Sequence, residues 1–139
     1  MSKRVELRCA GVPLLGWIAE HYWFVVFEES GACRRWEVWQ TADAGGTSYG
    51  HVHCDLKPPD ANVGGGPTRT VFEWQGPEAD RLSRVLSSCE NAYPHRDRYL
   101  PWPGPNSNTF VAWVLRRAGI AFTLPRKAIG SRYRMERQR

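Results

Sequence analysis

The stretch that decides the fold is WPGPNSNTFVAWVLRRAG, residues 102–119. Its prolines and glycine interrupt regular structure, and the apolar residues that follow recur at helical spacing. This pattern predicts a helix from about residue 107 to residue 118. Gly119 comes next, as a residue that commonly ends a helix. The buried stripe of this helix is expected to contain Phe110, Val111, Val114 and Leu115.

The start of this helix allows two interpretations. Asn106, Ser107 and Asn108 are residue types preferred at a helix N-cap, because their side-chain oxygens accept hydrogen bonds from unpaired backbone N–H groups. A serine at this place also benefits from the positive end of the helix dipole, which stabilises an anion that develops during nucleophilic attack. The second interpretation requires a base that is close in space.

The residues upstream predict an α+β fold. Aromatic and β-branched residues concentrate in segments 21–28, 36–41, 51–56 and 68–75, which we predict as strands. The first of these is a nearly continuous apolar run, typical of a strand covered on both faces. Segments 42–50 and 57–67 are predicted loops, the latter because it is dense in Pro and Gly.

A second helix is predicted after the last of these strands. Pro77 suits a first helical position, and Leu82, Val85, Leu86 and Cys89 follow at the spacing of an amphipathic helix. Strands that precede helices in this way favour helices packed on an antiparallel sheet.

The chain of 139 residues shows no internal repeat, so we expect one domain over residues 1–125 and a basic tail over residues 126–139. The tail has six basic residues and one acid, while the rest of the chain is electrically balanced. A nucleic-acid surface is therefore not indicated. We interpret the tail as a solvated, frayed end, with a contact to phosphates or to an acidic partner as the alternative.

The N-terminal region and the cysteines indicate the compartment. Residues 1–23 contain neither a run of ~20 apolar residues nor a signal peptide. We therefore expect a soluble, cytoplasmic protein without a transmembrane segment, and signal-less export stays open. The cysteines form no CxxC pair and are expected to be reduced.

Histidines supply the candidate bases. His21 opens the first predicted strand and is the best partner for a reactive Ser107. His51 and His53 lie on one side of a strand and suggest a metal cluster with Cys54. A zinc site needs three or four ligands, however, and Cys54 faces the other side. We therefore expect no metal and no cofactor.

The sequence resembles an uncharacterised bacterial family whose members share a WPGPNSNTF-like signature. The similarity covers about residues 9–133 and is carried by segments 21–26, 37–40, 46–52 and 102–113. This family in turn looks like a circularly permuted member of the NlpC-type, papain-like superfamily. The resemblance implies a papain-like fold, in which a strand with the catalytic histidine precedes a helix that opens with an Asn-Cys-x-x-Phe motif.

Residue by residue, the resemblance places His21 on the base and Ser107 on the cysteine nucleophile. A third polar residue often orients the histidine in such enzymes. If the hairpin after the His21 strand is centred near Gly31, the residue that faces His21 is near Gln40 or Thr41. We choose Gln40 because its amide can form a hydrogen bond that orients the imidazole, with Glu37 and His51 as substitutes.

Two functions follow from this comparison. The first is a hydrolase or acyltransferase that acts on an amide or ester bond of a small-molecule, peptide or lipid-like substrate. The second is a catalytically inactive binding module, because serine lacks the intrinsic nucleophilicity of cysteine. Its pocket is expected to contain Trp23, Trp39 and Trp102.

Overall fold

The computed structural model of the chain describes residues 3–133. Within that range six strands form one antiparallel sheet in the order β4-β5-β3-β2-β1-β6. The helices follow the strands in sequence, which confirms the α+β class. The strands are β1 (Arg4–Gly11), β2 (Glu20–Phe27), β3 (Cys33–Val38), β4 (Thr47–Tyr49), β5 (Val52–Cys54) and β6 (Thr68–Gln75), and the helices are α1 (Gly76–Ser87), α2 (Cys89–Ala92) and α3 (Ser107–Arg117).

Strand β1 is absent from the sequence prediction, yet it pairs with β2 on one side and β6 on the other. The signal was present, because Val5, Leu7 and Cys9 alternate with charged residues and are fully buried. Strand β4 is also new and lies in the predicted loop 42–50. The predicted strands 36–41 and 51–56 are displaced or shortened to β3 and β5.

The two faces of the sheet have different covers. Helices α1 and α3 pack on the face that carries Tyr22, Phe24 and Trp36, and this contact forms the main core. The opposite face carries His21, Trp23 and Val25 and lies against the loop that contains Val63. Strand β2 is therefore buried on both sides, as its apolar run predicts.

The first part of the basic tail belongs to the packed structure. Ala128 is buried, and the carbonyl oxygens of Ile129 and Gly130 accept hydrogen bonds from side chains of α3. The frayed end predicted for residues 126–139 is therefore not what residues 126–133 form, and residues 134–139 lie outside the described part of the chain. No helix in residues 3–133 is long and apolar enough to cross a membrane.

Candidate functional site

The cap of helix α3 is Asn106. Its Oδ1 accepts hydrogen bonds from the N–H groups of Asn108 and Thr109, and its own N–H donates to Thr109 Oγ1. This reciprocal arrangement is a capping box. Ser107 is consequently the first residue inside the helix, and its hydroxyl is not needed for the cap.

Asn108 joins the start of α3 to the sheet. Strand β2 pairs with β1 along its whole length but with β3 only from Phe24 onward. Beyond that point Asn108 bonds to β2, since its Oδ1 accepts from Tyr22 N–H (3.1 Å) and its Nδ2 donates to Glu20 C=O (2.7 Å). The Asn108 amide thus bonds to the part of β2 that β3 does not reach. The first turn of α3 therefore lies beside the start of β2, where β3 has separated from it.

Replacing Asn108 by alanine is expected to lower the free energy of unfolding by about 2–4 kcal/mol, because buried backbone groups of Glu20 and Tyr22 and the half-buried carbonyl of Ile129 lose their partner. Urea denaturation measures the loss. Asn91→Ala is the matched control, because Asn91 is exposed on α2 and should change stability by less than about 0.5 kcal/mol. Equal losses in the two variants would contradict the role given to Asn108.

His21 and Ser107 border one cavity of about 390 Å³. They lie 86 residues apart in sequence, and the insertion of α3 beside the start of β2 brings them to the same space. Gln40 also borders this cavity. The other lining residues are Val12, Pro13, Trp39, Val63 and Tyr99. Trp23 lies fully buried behind His21, and Trp102 is exposed and lies outside the lining.

The hydrogen bond to His21 that the sequence places at Gln40 is made by Glu37. Glu37 Oε1 lies 2.8 Å from His21 Nε2, and both side chains are buried. The difference comes from the hairpin, in which Phe24 pairs with Trp36, so the loop is centred one residue earlier than Gly31. That shift places Glu37 diagonally opposite His21 on the same face of the sheet.

The other substitute, His51, is engaged elsewhere. Its Nδ1 lies 2.9 Å from the carbonyl oxygen of Trp39, and its ring stacks on Tyr99. His51 is therefore not the residue that orients His21.

The contact with Glu37 fixes the proton on the His21 ring. Burial by itself would raise the pKa of the Glu37 carboxyl, but the hydrogen bond and charge of His21 and the charge and hydrogen bond of Arg35 outweigh it and hold the pKa below its ordinary value. An ionised carboxylate only accepts hydrogen bonds, so Nε2 carries the hydrogen. In the neutral ring Nδ1 then keeps its lone pair and can accept a proton.

The orientation of the ring is also restricted by its neighbours. The His21 ring stacks on Trp23 at 5.5 Å between centroids and meets the edge of Trp39 at 5.3 Å. With Nε2 held by Glu37, the ring has little freedom to rotate.

Arg35 is the buried counter-ion of Glu37. Its Nη2 donates to Glu37 Oε1 (2.9 Å), and its Nε lies 2.8 Å from Oε2 in an ion-pair contact without hydrogen-bond geometry. Its Nη1 donates to the carbonyl oxygens of Pro58 and Ala61, and its guanidinium lies 3.9 Å from the ring centre of Trp23. A connected layer thus runs from His21 through Glu37 and Arg35 to the loop that covers the sheet.

Sequence reasoning missed Arg35 because it placed this residue in the hairpin loop. A signal existed in the alternation of Arg35, Glu37 and Trp39, which share one face of the sheet. Residues of opposite charge at every second position, close to aromatic residues, indicate one face of a strand on which the charges pair.

Ser107 combines burial with unused hydrogen-bonding groups. It is 6% exposed, and its Oγ forms no hydrogen bond with another residue in the range 3–133. In the first turn of α3, the N–H groups of Asn108, Thr109 and Phe110 are bonded to Asn106. The Ser107 N–H has no such partner among the described residues, so this donor is free to bind an anion at the helix N-terminus.

A second Ser–His pair lies on β4 and β5, outside the cavity that His21 borders. Ser48 Oγ lies 2.7 Å from His53 Nδ1, and His53 Nε2 lies 2.9 Å from the carbonyl oxygen of Thr41. The His53 side chain is fully buried, and its burial lowers its pKa. Neither residue borders the cavity of His21, so this pair has a structural role and serves as an internal control.

The cysteines do not offer a nucleophile at this site. All four thiols are free, which agrees with the expected reduced state, and none lines the cavity. Burial raises the pKa of Cys9 and Cys54 to about 11 and raises that of Cys89 further. Such thiols are unreactive near neutral pH.

Comparison with known proteins gives a family but no activity. The family described as "Protein of unknown function (DUF3750)" matches residues 2–133. No curated protein and no solved structure matches the chain.

Proposed function

The chain belongs to this family of proteins of unknown function, and from its own site we propose that it is a hydrolase or acyltransferase that acts on an amide or ester bond. Ser107 is the nucleophile, His21 is the base, and Glu37 orients the base. The observation that carries the proposal is the single cavity that Ser107 and His21 both border, with Glu37 bonded to Nε2 of the ring.

The proposed reaction begins with attack of Ser107 Oγ on the carbonyl carbon of the substrate. His21 Nδ1 accepts the hydroxyl proton as the C–O bond forms. The negative charge that develops on the carbonyl oxygen is stabilised by the Ser107 N–H and by the helix N-terminus.

Collapse of the tetrahedral intermediate breaks the bond to the leaving amine or alcohol, which takes the proton from Nδ1. The acyl group is then bound to Ser107. Attack by water, with its proton passed to His21, releases the acid and restores the hydroxyl; attack by another alcohol or amine transfers the acyl group. Protons and electron pairs balance at each step.

Glu37 assists without touching the substrate. When His21 gains a proton it becomes a cation, and the ionised carboxylate on Nε2 stabilises that charge. The lowered pKa of Glu37 keeps the carboxylate ionised near neutral pH. Arg35 fixes the position of the carboxylate from the opposite side.

The resemblance to circularly permuted NlpC-type proteins supports the same assignment. It aligns Asn106 and Ser107 with the Asn-Cys pair of that superfamily and aligns His21 with its base. The departure is serine in the place of cysteine, which makes the reaction depend more strongly on the base, because a hydroxyl is not ionised near neutral pH.

Intact-mass analysis after treatment with a fluorophosphonate tests the proposal. We expect one adduct on the wild type, no adduct on Ser107→Ala, and none on His21→Gln, which keeps an N–H donor for Glu37 but cannot act as a base. Ser48→Ala is the matched control and should be labelled like the wild type. Labelling that persists in Ser107→Ala, or that is lost in Ser48→Ala, would overturn the assignment.

The second candidate function is a binding module without turnover. It is favoured by one observation, the lack of a hydrogen bond between Ser107 Oγ and His21 in the described structure. The same labelling experiment separates the two functions, since a binding module leaves every variant and the wild type without an adduct.

A further inference from the structure

The turn between β1 and β2 exposes an unusual amount of apolar surface. We call residues 12–19, VPLLGWIA, the apolar loop. Leu14 is 95% exposed and Trp17 is 72% exposed, and Leu15 and Ile18 are also exposed. Four large apolar side chains therefore project into solvent from one short connection, and each carries a free-energy cost that burial would remove.

Four backbone N–H groups of the apolar loop donate to carbonyl oxygens within the loop. Leu15 N–H donates to Val12 C=O, the N–H groups of Ile18 and Ala19 donate to Leu15 C=O, and Val12 N–H donates to Ala19 C=O at the base. Leu14 has φ 67°, which turns the backbone sharply at the tip. These four N–H groups keep their partners when the exposed side chains of the loop leave water.

Close packing holds the apolar loop in place. A Cβ on Gly11 or on Gly65 would collide with the backbone of the other, and a Cβ on Gly16 would lie 3.3 Å from Gly11 Cα and from the Gly65 carbonyl oxygen. The loop therefore projects as a fixed feature of the fold.

Two exposed basic residues lie near the base of the apolar loop, which has no charged residue of its own. Glu20, the adjacent acid, is buried and paired with Arg69 at 2.8 Å. Glu20 N–H also donates to the carbonyl oxygen of Lys127, which places the exposed Arg126 and Lys127 beside it. Burial would raise the pKa of Glu20, but hydrogen bonds from Arg69 and Tyr22 and the charges of Arg69 and Lys127 lower it overall.

We propose that the apolar loop docks on an anionic lipid bilayer. Leu14, Leu15, Trp17 and Ile18 enter the interfacial region, and Arg126 and Lys127 face the headgroups. Tryptophan is favoured at this depth because its ring is apolar and its N–H is polar. Each basic residue near an anionic surface strengthens the attraction to the bilayer.

The shape of the apolar loop favours a bilayer over a protein partner. A stable protein interface covers about 800 Å² on each partner and is broadly matched in shape. The apolar loop is instead a narrow projection with four side chains at its end. A bilayer accepts such a projection without a complementary pocket, and its anionic headgroups complement the basic residues at the base.

Co-sedimentation with vesicles tests this proposal. The full chain is expected to bind vesicles of equimolar phosphatidylcholine and phosphatidylserine, and to bind phosphatidylcholine vesicles much more weakly. Leu14→Asn/Trp17→Ser should weaken binding at least about tenfold, because it removes the two most exposed apolar side chains of the loop. Asparagine tolerates the backbone conformation at position 14.

Matched control variants make the same kinds of change outside the proposed docking surface. Phe72→Ser removes a 45% exposed aromatic side chain from β6 and should bind vesicles like the wild type. Arg126→Glu/Lys127→Glu should weaken binding to the anionic vesicles, whereas Arg116→Glu/Arg117→Glu, the same charge change at the opposite end of α3 from Ser107, should not.

The proposal is overturned if the wild type binds neither kind of vesicle, or if Leu14→Asn/Trp17→Ser binds like the wild type. A wild-type dimer in solution that this variant abolishes, without vesicle binding, would assign the loop to self-association instead. Ser107→Ala is expected to bind vesicles like the wild type, so this result does not depend on whether the proposed reaction occurs.

Discussion

Replacing Glu37 by alanine is expected to lower the free energy of unfolding by about 3–5 kcal/mol, a large part of the total stability of a domain of this size. The reason is Arg35, which is fully buried and has Glu37 as its ion-pair partner. Removing the carboxylate leaves an uncompensated charge in the interior. Urea denaturation of the wild type and the variant measures the difference.

A double variant provides the control. Arg35→Met/Glu37→Leu removes both charges and should recover a substantial part of the lost stability, because an apolar pair avoids the cost of an unpaired buried ion. It should not recover fluorophosphonate labelling, since His21 still lacks its orienting carboxylate. A double variant as unstable as Glu37→Ala would show that the loss comes from packing and not from the charge on Arg35.

The stability contributed by Glu37 also depends on pH in a defined direction. Its folded-state pKa lies below the value of about 4.3 for an unfolded glutamate, so the native state binds its proton less readily than the unfolded state. The contribution is complete above that value and is lost as the pH falls through the folded-state pKa. The acid limb of the wild-type stability curve should therefore be steeper than that of Arg35→Met/Glu37→Leu.

The elements that local sequence determines could be predicted. Helix α3 begins at Ser107 as expected, because the capping residue and the apolar period are both contained in one short stretch. Strand β6 also has the predicted bounds, Thr68–Gln75. In these cases the signal lies within the element, so no distant contact is needed to recognise it.

The identity of the residue that orients His21 could not be predicted, because it depends on a hairpin register. An error of one residue in the hairpin centre moves every cross-strand partner by two residues, so a different side chain of the same face lies beside His21. The observed centre places Trp39 opposite His21 and Glu37 on its diagonal, whereas a centre near Gly31 points to Gln40 or Thr41. The burial of Arg35 depends on the carbonyl oxygens of Pro58 and Ala61, more than twenty residues away in sequence, and no local pattern reports such a contact.

Changing Ser107 to cysteine is expected to create a reactive thiol whose alkylation by iodoacetamide near pH 7 depends on His21. A cysteine at a helix N-terminus beside a basic imidazole has a lowered pKa and is largely thiolate near neutral pH, whereas an ordinary thiol has a pKa of about 8.5 and is only a few per cent ionised. Ser107→Cys should therefore react at least about tenfold faster than Ser107→Cys/His21→Gln. Intact-mass analysis over time measures both rates without knowledge of the substrate.

The native thiols provide the baseline for this measurement. Three are buried, and burial raises the pKa of each; only Cys33 is partly exposed, so the slow alkylation of the wild type reports on that residue. Ser48→Cys is the matched variant at the other Ser–His pair, and it should react slowly because His53 is enclosed and its pKa is lowered by burial. Equal rates for Ser107→Cys with and without His21 would mean that the two side chains share a cavity but not a proton, and the chain would then be a binding module.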